Sequence, residues 1–148
     1  MPVFRLKRIY LEALKSGRKK GEIRVGKMWL KIAQKIQAGE LKPVAIFKSG
    51  DEMLVYEISR IEIYPNAIKA LKNKRWKALG IEGKNLKEAI KNLKKMYPRL
   101  PLRPAVIFWV RPPSRNLERI VELELKRTGE MKLLKNSKQS DKSNNLQR

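Results

Sequence analysis

The chain has 148 residues, with 36 Lys and Arg against 14 Asp and Glu and a formal charge of +22, so it repels itself and attracts polyanions, nucleic acid first among them. It contains neither Cys nor His, which removes disulfides, thiolate nucleophiles, the commonest general base and the commonest transition-metal ligand. Its longest apolar run, Ala105 to Val110, is far short of the roughly 20 residues of a membrane span, and the N-terminus lacks a secretory h-region; a soluble, cytoplasmic protein with no metal and no cofactor is expected.

Apolar residues at Ile9, Ala13 and Leu14, with Tyr10 beside them, predict a helix over Lys7 to Ser16 that ends at a left-handed Gly17. In Glu22-Ile23-Arg24-Val25 charged and β-branched residues alternate, so a strand is expected with Ile23 and Val25 toward a core and Glu22 and Arg24 on the opposite, polar face. Met28, Trp29, Ile32 and Ile36 recur at helical spacing up to Gly39. Pro43 to Phe47 and Met53 to Tyr64 read as two strands of a hairpin around "SGDE". A brief helix is expected over Asn66 to Leu71, and a longer one after Asn85, whose side chain caps it, with Leu86, Ala89, Ile90, Leu93 and Met96 on one face. On the other face Lys87, Lys91, Lys94 and Lys95 form a solvent face or an extension of an electrostatic footprint. "PRLPLRP" at 98–104 suits an extended polyproline-type connector. Ala105 to Val110 reads as a buried strand, and Arg119 to Arg127, by its alternation, as a second strand closing an antiparallel pair.

Residues 136–148 carry almost no apolar side chains, so a domain over 1–128 followed by a disordered basic tail over 129–148 is expected. Five or six short, mostly antiparallel strands with three helices point to an α+β fold built on a small, strongly curved sheet or barrel. Neither G-x-G-x-x-G nor a Walker-type loop is present, so nucleotide cofactors have no support.

"GRKKGEIR" at 17–24 places Gly17, Lys19, Glu22 and Arg24 in the pattern G-x-K-x-x-E-x-R, after a predicted helix and before a predicted strand. The pattern, with the "GDE" hairpin, "VYEISRIEIYP" and "LKEAIKNLKKMYP" in that order, resembles the ASCH domain family of small PUA-like β-barrels associated with RNA. The resemblance spans Pro2 to Arg127 and implies binding of RNA or single-stranded nucleic acid. A narrower likeness is to ASCH amidohydrolases that act on N4-acetylcytidine. It implies catalytic roles for Lys19 and, by position, Glu82; Glu22 stands where those enzymes carry Thr, so the hydroxyl expected in acyl transfer is missing. A ribonuclease is a further possibility within the family.

Without the family pattern, Lys19, Glu22 and Arg24 read as a surface ion pair worth under about 1 kcal/mol. With it, they read as a cleft in which Glu22 is the acceptor among donors and Lys19 and Arg24 hold phosphate. In a catalytic version Glu22 or Glu82 serves as general base and Arg24 steadies developing charge; Glu82 alone reads as a solvated loop acid. Arg18, Lys20 and Lys27 extend the basic surface, and "KNKRWKALG" sets Trp76 among Lys74, Arg75 and Lys77, suited either to base stacking with phosphate contact or to a core Trp with solvated neighbours. Trp29 and Trp109 are expected to pack. Three functions follow: an RNA-binding barrel with its cleft between 17–24 and the 74–86 loop, a metal-independent hydrolase of a modified nucleoside or RNA using Lys19, Glu22 and Glu82, or a basic packing protein with no discrete site.

Overall fold

A computed structural model describes residues 1–73, 75–98 and 102–128. Lys74, the middle of the proline-rich connector at 99–101 and the tail at 129–148 lie outside the described residues. The fold is α+β, with one five-stranded mixed sheet and helices around it. The strands are β1 (Val3–Arg5), β2 (Gly21–Val25), β3 (Val44–Ser49), β4 (Glu52–Tyr64) and β5 (Ala105–Arg111). They lie in the order β1-β3-β4-β5-β2, with β1 parallel to β3 and every other pair antiparallel.

Strand β4 curls the sheet. Its first half pairs with β3 and its second half with β5, and the register slips between Ile58 and Arg60, a bulge that bends and twists the strand. The result shows in the aromatic core. Phe4 of β1 and Phe108 of β5 stand three strands apart in the order, about 14 Å in a flat sheet, yet their ring centroids are 5.2 Å apart. The sheet is therefore a half-barrel, and Phe4, Phe47, Val106 and Phe108 fill its interior. Helices α1 (Arg8–Lys15) and α2 (Lys27–Gln37) close that interior with Leu11, Leu14, Ala33 and the partly buried Trp29. Gly17 follows α1 with φ of 80°, the left-handed conformation its position predicts.

The outer face of β2 and β5 carries a second core, in which Ile23, Val25, Ala105 and Ile107 pack under α3 (Ala67–Ala70), α4 (Arg75–Ala78) and α5 (Leu86–Met96). Asn85 caps α5 as its position predicts, accepting from the Glu88 amide at 3.0 Å. Asn85→Ala is expected to lower stability by about 1 kcal/mol, read as a shift of the urea midpoint with the slope unchanged.

The sequence reading fails at the C-terminal end. Arg119 to Arg127 is not a strand; it belongs to the helix α6 (Arg115–Thr128), so β5 pairs with β4 and β2 instead. Ser114 starts the helix, its Oγ accepting from the Leu117 amide at 3.2 Å. Leu117, Val121 and Leu125 then recur every fourth residue and pack against Val44, Ile46 and Met53. Alternation hid this period, because Val121, Leu123 and Leu125 alternate with Glu122 and Glu124, yet Leu123 is exposed and does not pack with the other two. Two short elements, β1 and α4, carry too few residues to show a period. Six helical segments form among the described residues, not three.

Candidate functional site

Strand β2 sets the site. Glu22 pairs with Phe108 and Arg24 with Val106 across the ladder to β5, so both point to the interior of the half-barrel, while Ile23 and Val25 face the outer core. The face expected to meet solvent is thus covered. Lys19 is 3% exposed and Glu22 5%, so the surface-pair reading is wrong: these are charges enclosed by protein.

The three side chains interlock. Lys19 Nζ donates to Glu22 Oε1 at 2.8 Å and to the Leu79 carbonyl at 2.5 Å. Arg24 grips the other carboxylate oxygen, donating to Oε2 from Nη2 at 2.7 Å and from Nε at 3.0 Å. Nη2 also donates to the Arg5 carbonyl at 3.1 Å. The guanidinium carbon lies 5.3 Å from the Phe4 ring centroid and 5.1 Å from that of Trp29, a cation–π seat that fixes its plane. Arg24 Nη1 makes no hydrogen bond among the described residues.

Backbone bonds lock the turn that carries Lys19. Its amide donates to the Ala13 carbonyl at 2.9 Å, and the Lys20 amide to that of Ala78 at 2.7 Å. The 79–81 segment lies directly on the lysine stem: Gly80 has φ of 76°, and a Cβ there would meet Lys19 Cδ at 3.1 Å. Burial pushes the Glu22 carboxyl up, but the charges of Lys19 and Arg24 and their hydrogen bonds more than offset it and leave it below its ordinary value. Burial pushes the Tyr97 phenol up to about 12, with Arg24 pulling down and Glu22 pushing up; its hydroxyl donates to the Ile23 carbonyl at 3.2 Å.

Above the cluster opens a hollow of about 270 Å³. Lys19, Glu22 and Arg24 form its floor, Tyr10, Ile81 and Tyr97 its walls, and the exposed Arg5, Lys7 and Lys95 bring further charge to it. A second hollow, of about 520 Å³, shares Tyr10 and Ile81 with the first.

The predicted residues divide among these places. Glu82, Arg18 and Lys77 line the second hollow, so Glu82 does not share a pocket with Lys19 and Glu22. Lys20 and Lys27 are exposed and line neither. Arg75 lies 3.5 Å from Glu62 and over the Tyr64 ring. Trp76, at 4% exposure, packs into the outer core and also lines the second hollow, with Lys77 Nζ 5.4 Å from its ring centroid. Sequence reasoning missed Arg5, Lys7, Tyr10, Lys95 and Tyr97. They come from β1 and the two ends of α1 and α5, and only Lys95 stood in a pattern, the lysine face, that hinted at an anion. Among the described residues no three acidic side chains gather as a metal site, and no helix is long and apolar enough to cross a membrane.

Fold and site together define a small α+β half-barrel protein with an enclosed Lys–Glu–Arg cluster at the floor of a cation-rimmed cleft. Among solved structures it is similar to the hypothetical protein PH0355, known from a crystal structure, with a TM-score of 0.56 and 19% identity over 76% of this chain and 98% of that one. A solution structure of protein PF0455 from Pyrococcus furiosus is also similar, with a TM-score of 0.48 and 19% identity over 76% of this chain and 97% of that one. At 19% identity the likeness to PH0355 is one of fold. No family model matches the chain, and no curated protein matches it in sequence.

Proposed function

We propose that the protein is an ASCH-type, PUA-like RNA-binding domain whose cleft takes one unpaired nucleotide at a time. The observation that carries this reading is the state of Arg24, which lines the hollow, lies against the stacked Phe4 and Trp29 rings, is pinned by Glu22, and makes no hydrogen bond through Nη1 among the described residues. A pre-oriented guanidinium with a free edge suits phosphate or a base edge. Lys7, Arg5 and Lys95 around it suit a backbone. Glu22 is then less the acceptor for a ligand than the pin that orients Arg24, since three hydrogen bonds already converge on its carboxylate.

Size supports single strands. A hollow of about 270 Å³ lies just under the range of about 300–1,000 Å³ usual for small-molecule pockets. It has room for a splayed-out base and none for a duplex, and unpaired bases are what sequence-reading RNA proteins engage. Hydrolysis draws less support: Lys19 is spent as a donor to a carboxylate and a carbonyl, and Glu82 sits in the other hollow.

Fluorescence anisotropy with a labelled single-stranded RNA tests the proposal. Arg24→Lys keeps the charge and loses the fork, and it is expected to weaken binding about tenfold. Lys7→Ala is expected to flatten the log–log salt slope by about one. If Arg24→Lys binds like the unaltered protein at every salt concentration, bulk charge explains the binding and the cleft reading fails. Product from acetylcytidine or RNA, abolished in Glu22→Gln with binding retained, would replace binding by hydrolysis.

A further inference from the structure

We infer that the second hollow, bounded by α1 and the 80–83 loop, seats the base of the neighbouring nucleotide, with Glu82 selecting bases that offer an amino donor over uracil. The inference rests on the RNA-binding reading of the first cleft and extends its footprint from one nucleotide to two.

Continuity is the first argument. The two hollows meet at Tyr10 and Ile81, which line both, and Gly80 lies so near the stem of Lys19 that a Cβ there would meet its Cδ at 3.1 Å, the lysine's amine ending on Glu22. A strand whose one nucleotide lies over Arg24 can therefore pass Tyr10 and set the next base beyond it. Tyr10 is also within electrostatic reach of both carboxylates: burial raises its phenol most, and Glu82 and Glu22 raise it further.

Chemistry is the second. The floor of this hollow is apolar where solvent would be expected. Ile9 is 56% exposed on α1, the largely buried Ala13, Trp76 and Ile81 line the hollow with it, and Arg18 and Lys77 line it too. An apolar shelf flanked by cations fits a base and its phosphate.

Glu82 is the third. Its main chain is fastened, the carbonyl accepting from Asn92 Nδ2 at 2.6 Å, yet its carboxylate makes no hydrogen bond or ion pair among the described residues. In a chain of +22 an acid that lines the same hollow as Arg18 and Lys77 and has no partner among the described residues repels phosphate, which costs affinity unless the acid reads something. A carboxylate accepts from the exocyclic amine of cytosine and has nothing to offer the 4-oxo group of uracil.

Oligo(C) and oligo(U) of equal length, titrated onto the full chain and onto Glu82→Gln and Arg24→Lys, separate the outcomes. The unaltered protein is expected to bind oligo(C) about fivefold more tightly than oligo(U), the worth of one hydrogen bond. Glu82→Gln, whose amide both donates and accepts, is expected to bring that ratio close to one. Ile9→Asp, which removes the shelf, should weaken both oligomers. A ratio near one in the unaltered protein, or a ratio that survives Glu82→Gln, overturns the second subsite while Arg24→Lys still weakens both oligomers and so upholds the first. If Arg24→Lys changes neither, the cleft reading falls and this inference falls with it.

Discussion

Glu22→Gln is expected to cost the fold about 3–5 kcal/mol, the usual penalty for removing one partner of an enclosed ion pair. The penalty falls on what is left behind. Lys19 is 3% exposed, and with a neutral glutamine at position 22 its ammonium has no counter-charge among the described residues, only neutral partners such as the Leu79 carbonyl and the Tyr10 ring, 5.8 Å from Nζ. The double variant Lys19→Met with Glu22→Gln should recover a large part of the loss, because the more deeply buried of the two cations is gone and Gln can still accept from Arg24, which is partly exposed. Urea denaturation of the two single variants and the double variant checks this. A cost below about 0.5 kcal/mol for Glu22→Gln would mean the pair behaves as a surface pair and the enclosed cluster does not exist.

Acid gives the same interaction a second signature. The folded-state carboxyl of Glu22 lies below its ordinary value of 4.5, so the unfolded chain binds the proton first as pH drops. The stability this group contributes is fully present above the unfolded value and is lost as pH falls through the depressed folded one. The gap between unaltered protein and Glu22→Gln should therefore narrow below about pH 4. A gap that stays constant down to acid unfolding would contradict the depressed value.

What the sequence made legible was whatever repeats with a period. The hairpin of β3 and β4, the helices α1, α2 and α5, the Asn85 cap and the curved α+β class all follow from alternation, helical spacing and turn chemistry. Glu22 and Arg24 were legible as neighbours because a strand places residues two apart on one face, and Lys19 joined them through the turn before the strand and the G-x-K-x-x-E-x-R pattern. Their burial was not legible. Alternation says which residues share a face, but not what covers it, and the cover here comes from β1, the 79–81 segment and α5, all distant in sequence. Trp76 shows the same limit, since lysines around an aromatic residue look alike whether its ring points in or out. At α6 two periods competed over Ile120 to Leu125, and the helical one won because Leu117, Val121 and Leu125 had a bare flank of β3 and β4 to cover.

Phe4→Ala should cost about 3–5 kcal/mol, and its effect should reach the site. Phe4 is fully buried, and its ring lies 4.9 Å from Trp29, 5.1 Å from Phe47 and 5.2 Å from Phe108, so its loss opens the middle of the half-barrel. It sits on a three-residue edge strand, held to the sheet on one side only. That strand supplies the Arg5 carbonyl, which takes a hydrogen bond from Arg24 Nη2, and the Phe4 ring is half of the seat on which the guanidinium rests. Phe4→Leu separates packing from positioning, because it keeps much of the apolar volume and removes the ring face. It is expected to stay folded, to lose about 0.5–1.5 kcal/mol for each aromatic pair given up, and, under the proposed function, to lower RNA affinity although Phe4 is fully buried. Amide hydrogen exchange at Leu6, whose N–H donates to the Lys48 carbonyl, should quicken in the same variant as β1 loosens. Unchanged RNA affinity in a Phe4→Leu protein with a loosened β1 would show that Arg24 is held by Glu22 alone, and the ring seat would then be packing without a part in recognition.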